Sequence, residues 1–290
     1  MDRFDEPAPA SVWCSERQST GRSIGFVPTM GALHEGHLSL VRRAARENDD
    51  CVVSVFVNPL QFDDPSDFER YPRDLDRDAE LLAGAGCSMV FTGSLQGFFP
   101  GVTSLDEVAL EDPGPAAVGL EGEHRCGHFE GVATIVRRLF ELVRPTRAYF
   151  GEKDFQQTLV VRDLARRLGM PEVVVHPTSR EESGLARSSR NVRLRDGDRQ
   201  AALQLWRALD SARAAWSAGE RSAVGLRSVL AQVLEHDGVE VEYADVRDPE
   251  NFADVPADGD RLTRAQALVA ARVGDVRLID NLRLDREVKA

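Results

Sequence analysis

The sequence predicts an α/β protein built on a doubly wound parallel sheet, with a smaller α+β domain toward its C-terminal end. Three observations carry this expectation. Short apolar runs such as residues 23–28 (SIGFVP) and 51–57 (CVVSVFV) lack polar alternation, as strands buried on both faces do. Each run is followed by a segment whose apolar residues recur at helical spacing. After Asn191 this alternation gives way to two longer helical stretches and then three strand-like segments.

Taken in order, the strand at 23–28 is bounded by Gly21 and Pro28. From His37 the segment HLSLVRRAAREN then sets Leu38, Val41 and Ala45, with Leu40 and Ala44, at three- and four-residue spacings, leaving Arg42, Arg43, Arg46 and Glu47 for water. The strand at 51–57 comes next. The alternation continues with a helix near 74–85, a strand at 88–92, helices near 131–144 and 154–168, and strands at 147–150 and 172–176. Within 131–144, Val132, Ile135, Val136, Leu139, Phe140 and Val143 form a stripe that reads as core. Such a βα repeat predicts a Rossmann-like sheet with its ligands at the carboxyl ends of the strands. Beyond it, helices are expected near 199–218 and 223–235, and strands at VEVEYADV, ALVAARV and DVRLID. The polar stretch 178–193 is the expected join, dividing the chain into 1–178 and 179–290. A cleft between two domains is a natural small-molecule site.

Composition narrows the function. The chain has 290 residues, 42% hydrophobic and 29% charged, enough to bury a core. No apolar run reaches the roughly 18 residues of a membrane span, and the N-terminus MDRFDEPAPASVW is acidic where a signal peptide is basic, so a cytoplasmic protein without a membrane partner is expected. The net charge of −12 repels phosphodiester backbones and argues against nucleic-acid binding. Cys14, Cys51, Cys87 and Cys126 are widely separated with no CxxC, which favours free, mostly buried thiols. Of 36 basic residues 34 are Arg, and the two lysines are Lys153 and Lys289. In a chain that uses Arg almost everywhere, an interior lysine marks a place where a compact ammonium is needed.

Several segments carry candidate chemistry. Between the first strand and first helix lies PTMGALHEGH, holding Met30, Gly31, Ala32, Leu33, His34, Glu35, Gly36 and His37. Its glycines allow close backbone approach, the following helix offers unpaired N–H groups, and two imidazoles three residues apart can donate toward phosphates, so a nucleotide triphosphate is the expected guest. A zinc site assembled from His34, His37, His124 and His128 is the competing reading; it lacks the four-residue spacing of a helical pair and leaves no open position. Gly151, Glu152, Lys153 and Asp154 follow another strand, with Gln156 and Gln157 in the next helical turn. The join carries Ser179, Arg180, Arg187, Ser188, Ser189 and Arg190, a set able to stabilise a departing pyrophosphate. Asn58 and Gln61 follow the second strand, and Arg125 and His128 lie in RCGHF. Four of these groups fall at strand ends on one sheet edge, and that convergence is what makes them a site.

The ordered strings PTMGALHEGH, SVFVNPLQF, YPRDLDRD, LEGEHRCGHFEGV, AYFGEKDFQQ, GLARSSRN and RLIDN resemble the pantothenate synthetase (pantoate–β-alanine ligase) family over almost the whole chain. HEGH is similar to the HIGH motif of the wider nucleotidyltransferase superfamily, and SSRN to its mobile phosphate-binding signature. The resemblance implies ATP-dependent condensation of (R)-pantoate with β-alanine through a pantoyl adenylate, with Mg²⁺ and a homodimer. It also implies that 1–178 binds nucleotide and pantoate and that 179–290 is a lid. On that basis residues 30–37, 151–154, Ser179, Arg187, Ser188, Ser189 and Arg190 would hold ATP, with His37 as proton donor and His34 on phosphate. Lys153, Ser188, Ser189 and Arg190 would carry the pyrophosphate, Gln61 and Gln157 pantoate, and Asn58 and Arg125 would help position the reacting partners.

The chain departs from the family pattern at Cys126, where Pro is usual after Arg, at Ser183, where Asp usually precedes GLA, and at Ser179 and Arg187, usually apolar. Ser183 removes an acid able to pair with a loop arginine, and Arg187 adds a cation beside adenine. Other functions remain to be separated: a related nucleotidyltransferase, an adenylate-forming ligase with a different small acid or amine, or a non-catalytic nucleotide-binding regulator. The retained His37, Lys153 and Arg190 argue against the last.

Overall fold

The computed structural model describes residues 1–250, 252 and 261–286, so that Lys289 lies outside the described residues. Its elements run β1 (Asp2–Phe4), α1 (Pro7–Ser19), β2 (Ile24–Thr29), α2 (Glu35–Glu47), β3 (Asp50–Val55), α3 (Pro65–Glu69), α4 (Leu75–Gly84), β4 (Met89–Phe91), α5 (Leu95–Phe98), α6 (Glu121–His124), α7 (His128–Val143), β5 (Arg147–Gly151), α8 (Phe155–Leu168) and β6 (Glu172–His176). There follow α9 (Asp196–Ser217), α10 (Ala223–Leu234), β7 (Glu240–Arg247), β8 (Gln266–Val273) and β9 (Val276–Arg283). They form two compact units. The first comprises Met1–Glu152 and Gln156–Pro177, the second Lys153–Phe155 and the residues from Thr178 onward.

In the first unit the six strands pair in parallel in the order β1-β4-β3-β2-β5-β6. The apolar runs are uninterrupted because alternate residues enter two cores. Phe26, Val52, Phe91, Ala148 and Phe150 pack with the stripe of α7. Val27, Val53, Val55, Val90 and Tyr149 pack with Leu40, Val41 and Ala44 of α2 and Leu82 of α4. This is the doubly wound sheet expected, and its order reverses between β2 and β5, where such sheets bind ligands.

The N-terminal β1–α1 pair has no counterpart in the sequence-based expectation. β1 is three residues long, below the length at which periodicity shows, and the PAPA string reads as a helix breaker. In the structure Pro7 occupies the first turn of α1, where its missing N–H costs no hydrogen bond. β1 adds to β4 at the sheet edge, and α1 buries Ala10, Trp13 and Cys14 beneath it.

The second unit has an antiparallel sheet in the order β7-β8-β9. Leu205, Leu209 and Trp216 of α9 and Leu226, Leu230 and Leu234 of α10 form its core with Val269, Val273 and Leu278 of the sheet. Of the four free cysteines, Cys14, Cys51 and Cys87 are buried and Cys126 is exposed, in line with the expectation.

Candidate active site

The loop leaving β2 is built around a local left-handed turn. Gly31 has φ +84 and Ala32 φ +51, and a Cβ on Gly31 would press on Asp78 and Val55. Asp78, on α4 and only 2% exposed, holds the turn by accepting from the backbone N–H of Ala32 at 2.9 Å and of Leu33 at 2.8 Å. Burial pushes its carboxyl above the ordinary Asp range, and those two N–H groups oppose the shift. Leu33 buries its side chain in the core, so it shapes the loop from within. Met30 and Gly36 are half-buried; Glu35 is exposed and pairs with Arg42.

At the N-terminus of α2 the two histidines form a reciprocal cap. His34 Nδ1 accepts from the Gly36 N–H at 3.2 Å, and His37 Nδ1 accepts from the His34 N–H at 3.4 Å. Their rings lie 4.1 Å apart. With Nδ1 an acceptor in both, the neutral rings carry their proton on Nε2. The arrangement therefore places two imidazoles and a helix N-terminus at the carboxyl end of β2, beside the point where strand order reverses.

The turn after β3 forms a second group. Asn58 is 1% exposed; its amide donates to Gln61 Oε1 at 3.0 Å and to the Gly131 carbonyl at 3.1 Å. Asn58 thus orients the Gln61 amide, directing its NH₂ away from Asn58. His128 Nδ1 donates to the Gln61 carbonyl at 2.8 Å, which leaves Nε2 to accept from Arg125 at 3.0 Å. Arg125 also reaches Asp63 at 3.3 Å and the Gln61 carbonyl at 3.3 Å. Gln61, Asn58, Arg125 and His128 are accordingly one network. Gln157, half-buried, lies in the first turn of α8 next to Gln156. The Gln156 side chain is buried and holds the loop before α6, donating to the Ala116 and Gly119 carbonyls and accepting from the Glu121 N–H. Gly151 closes β5 and Glu152 begins a single 3₁₀ turn with Lys153 and Asp154.

The second unit carries the remaining predicted residues. The Lys153 side chain is 19% exposed, and its ammonium lies 3.5 Å from Asp154. Residues 180–186 form a tight hairpin, with Arg180 and Ala186 bridged and the Arg187 N–H donating to the Ser179 carbonyl at 2.9 Å. Gly184 has φ +94, and any Cβ there would occupy the indole of Trp206 on α9. Arg180 stacks 4.1 Å from the same indole and forms a bidentate pair with Asp280 at 2.6 and 2.9 Å. Arg199 pairs with Glu181 at 3.3 Å. Asp280 thus pairs with a loop arginine in the absence of an acid at Ser183. The Arg187 guanidinium donates to the Arg180 carbonyl at 3.2 Å. Ser188 caps the 3₁₀ helix Ser189–Arg193 by accepting from the Arg190 N–H at 3.3 Å, so Ser189 and Arg190 start that helix.

Sequence reasoning assigned no role to Asp78, Asp280, Asn281 or Gln156. Their signal was present in YPRDLDRD, RLIDN and FQQ, but their partners lie far off in the chain. Among the described residues no group of three or more His, Cys, Asp or Glu side chains is placed to hold a metal ion, and His128 is committed to Gln61 and Arg125.

A protein named pantothenate synthetase from Rubrobacter xylanophilus is 49% identical over 270 residues, 91% of this chain and 92% of that protein. The crystal structure of pantothenate synthetase from Thermus thermophilus superposes with a TM-score of 0.88 at 44% identity, covering 98% of this chain and 99% of that one. That of a pantoate–β-alanine ligase from Francisella tularensis, complexed with beta-gamma ATP and β-alanine, gives a TM-score of 0.77 at 32% identity, covering 99% of both chains. The family model described as pantoate-beta-alanine ligase matches residues 3–283, and the chain belongs to that family.

Proposed function

We propose that this chain condenses (R)-pantoate with β-alanine to pantothenate, using ATP, through a pantoyl adenylate. The observation that carries this reading is the His34–His37 cap at the N-terminus of α2. A pantoate carboxylate oxygen attacks the α-phosphorus of ATP, and the bond to pyrophosphate breaks. The β-alanine amine then attacks the acyl carbon and loses a proton as AMP departs. Both steps need positioning and charge stabilisation rather than a protein nucleophile.

The roles follow from the residues. Residues 30–37, Gly151, Glu152, Asp154, Ser179 and Arg187 bind the nucleotide; His34 and His37 donate to phosphate oxygens, with His37 the proton donor. Lys153, Ser188, Ser189 and Arg190 neutralise the pyrophosphate. Gln61 and Gln157 hold pantoate, and Asn58 and Arg125 act through the Gln61 network. The donor set suits Mg²⁺ that is held by the triphosphate and water, the usual state of that ion, with Asp154 as the chain's own oxygen donor. There it would neutralise phosphate charge. A homodimer in the cytoplasm, where ATP is available, is the expected working form, and no helix among the described residues is long and apolar enough to cross a membrane.

The test is release of pyrophosphate and AMP from Mg-ATP and (R)-pantoate, with and without β-alanine, with the product identified by mass. Pantothenate with one AMP per turnover is expected. Pyrophosphate release indifferent to β-alanine would redirect the assignment to another amine, and none with pantoate would overturn it.

A further inference from the structure

The Asn281 side chain connects two parts of the second unit. Its Nδ2 donates to the Lys153 carbonyl at 2.7 Å, across 128 residues of sequence. Its Oδ1 accepts from Gln266 Nε2 on β8 at 2.8 Å, which fixes which way the Asn281 amide faces. Asn281 is 5% exposed and Gln266 0%. Gln266 makes this bond at a cost, because its Oε1 is buried with no hydrogen-bond partner. Leaving such an acceptor unpaired opposes folding. An apolar side chain at 266 would move the unpaired acceptor to Asn281 Oδ1, so the glutamine is what holds the Asn281 amide in this orientation.

We propose that Asn281, oriented by Gln266, is a positioning residue for Lys153. By fixing the Lys153 carbonyl it sets the backbone from which the ammonium projects. The lysine stem has four rotatable bonds, and anchoring its base narrows the volume the charge explores. The inference rests on the reading that Lys153 stabilises the departing pyrophosphate. Misplacement of a catalytic group by about 1 Å can cost on the order of 10²-fold in rate. Asn281 touches only the carbonyl, so its loss should cost less, roughly 10-fold.

The experiment measures pantoate-dependent pyrophosphate release by the full chain in Asn281→Ala and Gln266→Met, each alone and combined with Lys153→Ala. Turnover is expected to fall roughly 10-fold in Asn281→Ala with the KM for pantoate unchanged. Gln266→Met is expected to lower turnover with the KM for pantoate unchanged, a split between the two constants that a general loss of folded protein would not single out for one background. With Lys153 already removed, neither substitution should reduce the rate further, because the group they aim is gone. The same fractional loss in both backgrounds, or native turnover in both single variants, would overturn the positioning role while leaving that of Lys153 standing. Native turnover in Lys153→Ala would overturn the reading of Lys153, and this inference with it.

Discussion

Asp78 holds the loop after β2 through backbone N–H groups, so its charge state and the loop's shape are linked. Its carboxyl is raised by burial, so the native chain takes up this proton at a higher pH than the unfolded chain does. Native stability from this group is therefore greatest in acid and declines as pH rises from the ordinary Asp value through the raised one. Loop geometry runs the other way, because both hydrogen bonds to the loop need the carboxylate. Activity should fall in acid at a pH above the ordinary carboxylate range. Asp78→Asn, which keeps one acceptor oxygen, should lower turnover and remove this group's contribution to the acid limb; an unchanged pH–rate profile in the variant would assign that limb elsewhere. Lys153→Ala should slow adenylate formation on the order of 10²-fold by loss of a charge contact in the transition state. Single-turnover pyrophosphate release checks this.

The hairpin at 180–186 is held by buried electrostatics and by one glycine. Arg180 and Asp280 have side-chain exposures of 16% and 3%, so removing one partner leaves a buried charge. Asp280→Ala should cost about 3 kcal/mol in urea unfolding, within the range for broken buried pairs. Gly184→Ala should cost about 1–3 kcal/mol from backbone strain alone and also displace Trp206. A melting point equal to that of the unaltered chain would show that the hairpin is not anchored as described. The contrast between this hairpin and the sheet explains what the sequence disclosed. β2, β3, β4 and β5 were legible because burial on both faces leaves an apolar signature within each strand. The nearness of His34 and His37 was legible because they lie three residues apart, although their reciprocal cap was not read from the sequence. The Arg180–Asp280 clamp was not, since its halves are 100 residues apart, and neither was the link from Asp78 to Ala32, 46 residues away. Local patterns reveal local bonds; the supports of a site are long-range and need the fold.

At the scale of the whole chain, pH and charge act together. His176, at the end of β6, has its pKa lowered by burial first and then by Arg43 and Arg46, with Glu47 opposing. A lowered folded-state value means the unfolded chain binds this proton more readily. Stability should therefore drop as pH falls from the ordinary His value through the lowered one, and be fully present above it. His176→Leu should flatten the pH dependence of the urea midpoint in that window; an unaltered slope would exclude His176 as its source. The near-absence of lysine has a chemical corollary. Acylating reagents attack free amines and spare guanidinium groups, so this chain offers them the α-amine, Lys153 and Lys289. The Lys153 side chain, 19% exposed, lies in the proposed phosphate site. Its acylation, counted by peptide mass, would then serve as a direct gauge of occupancy, with ATP slowing the labelling of that peptide alone.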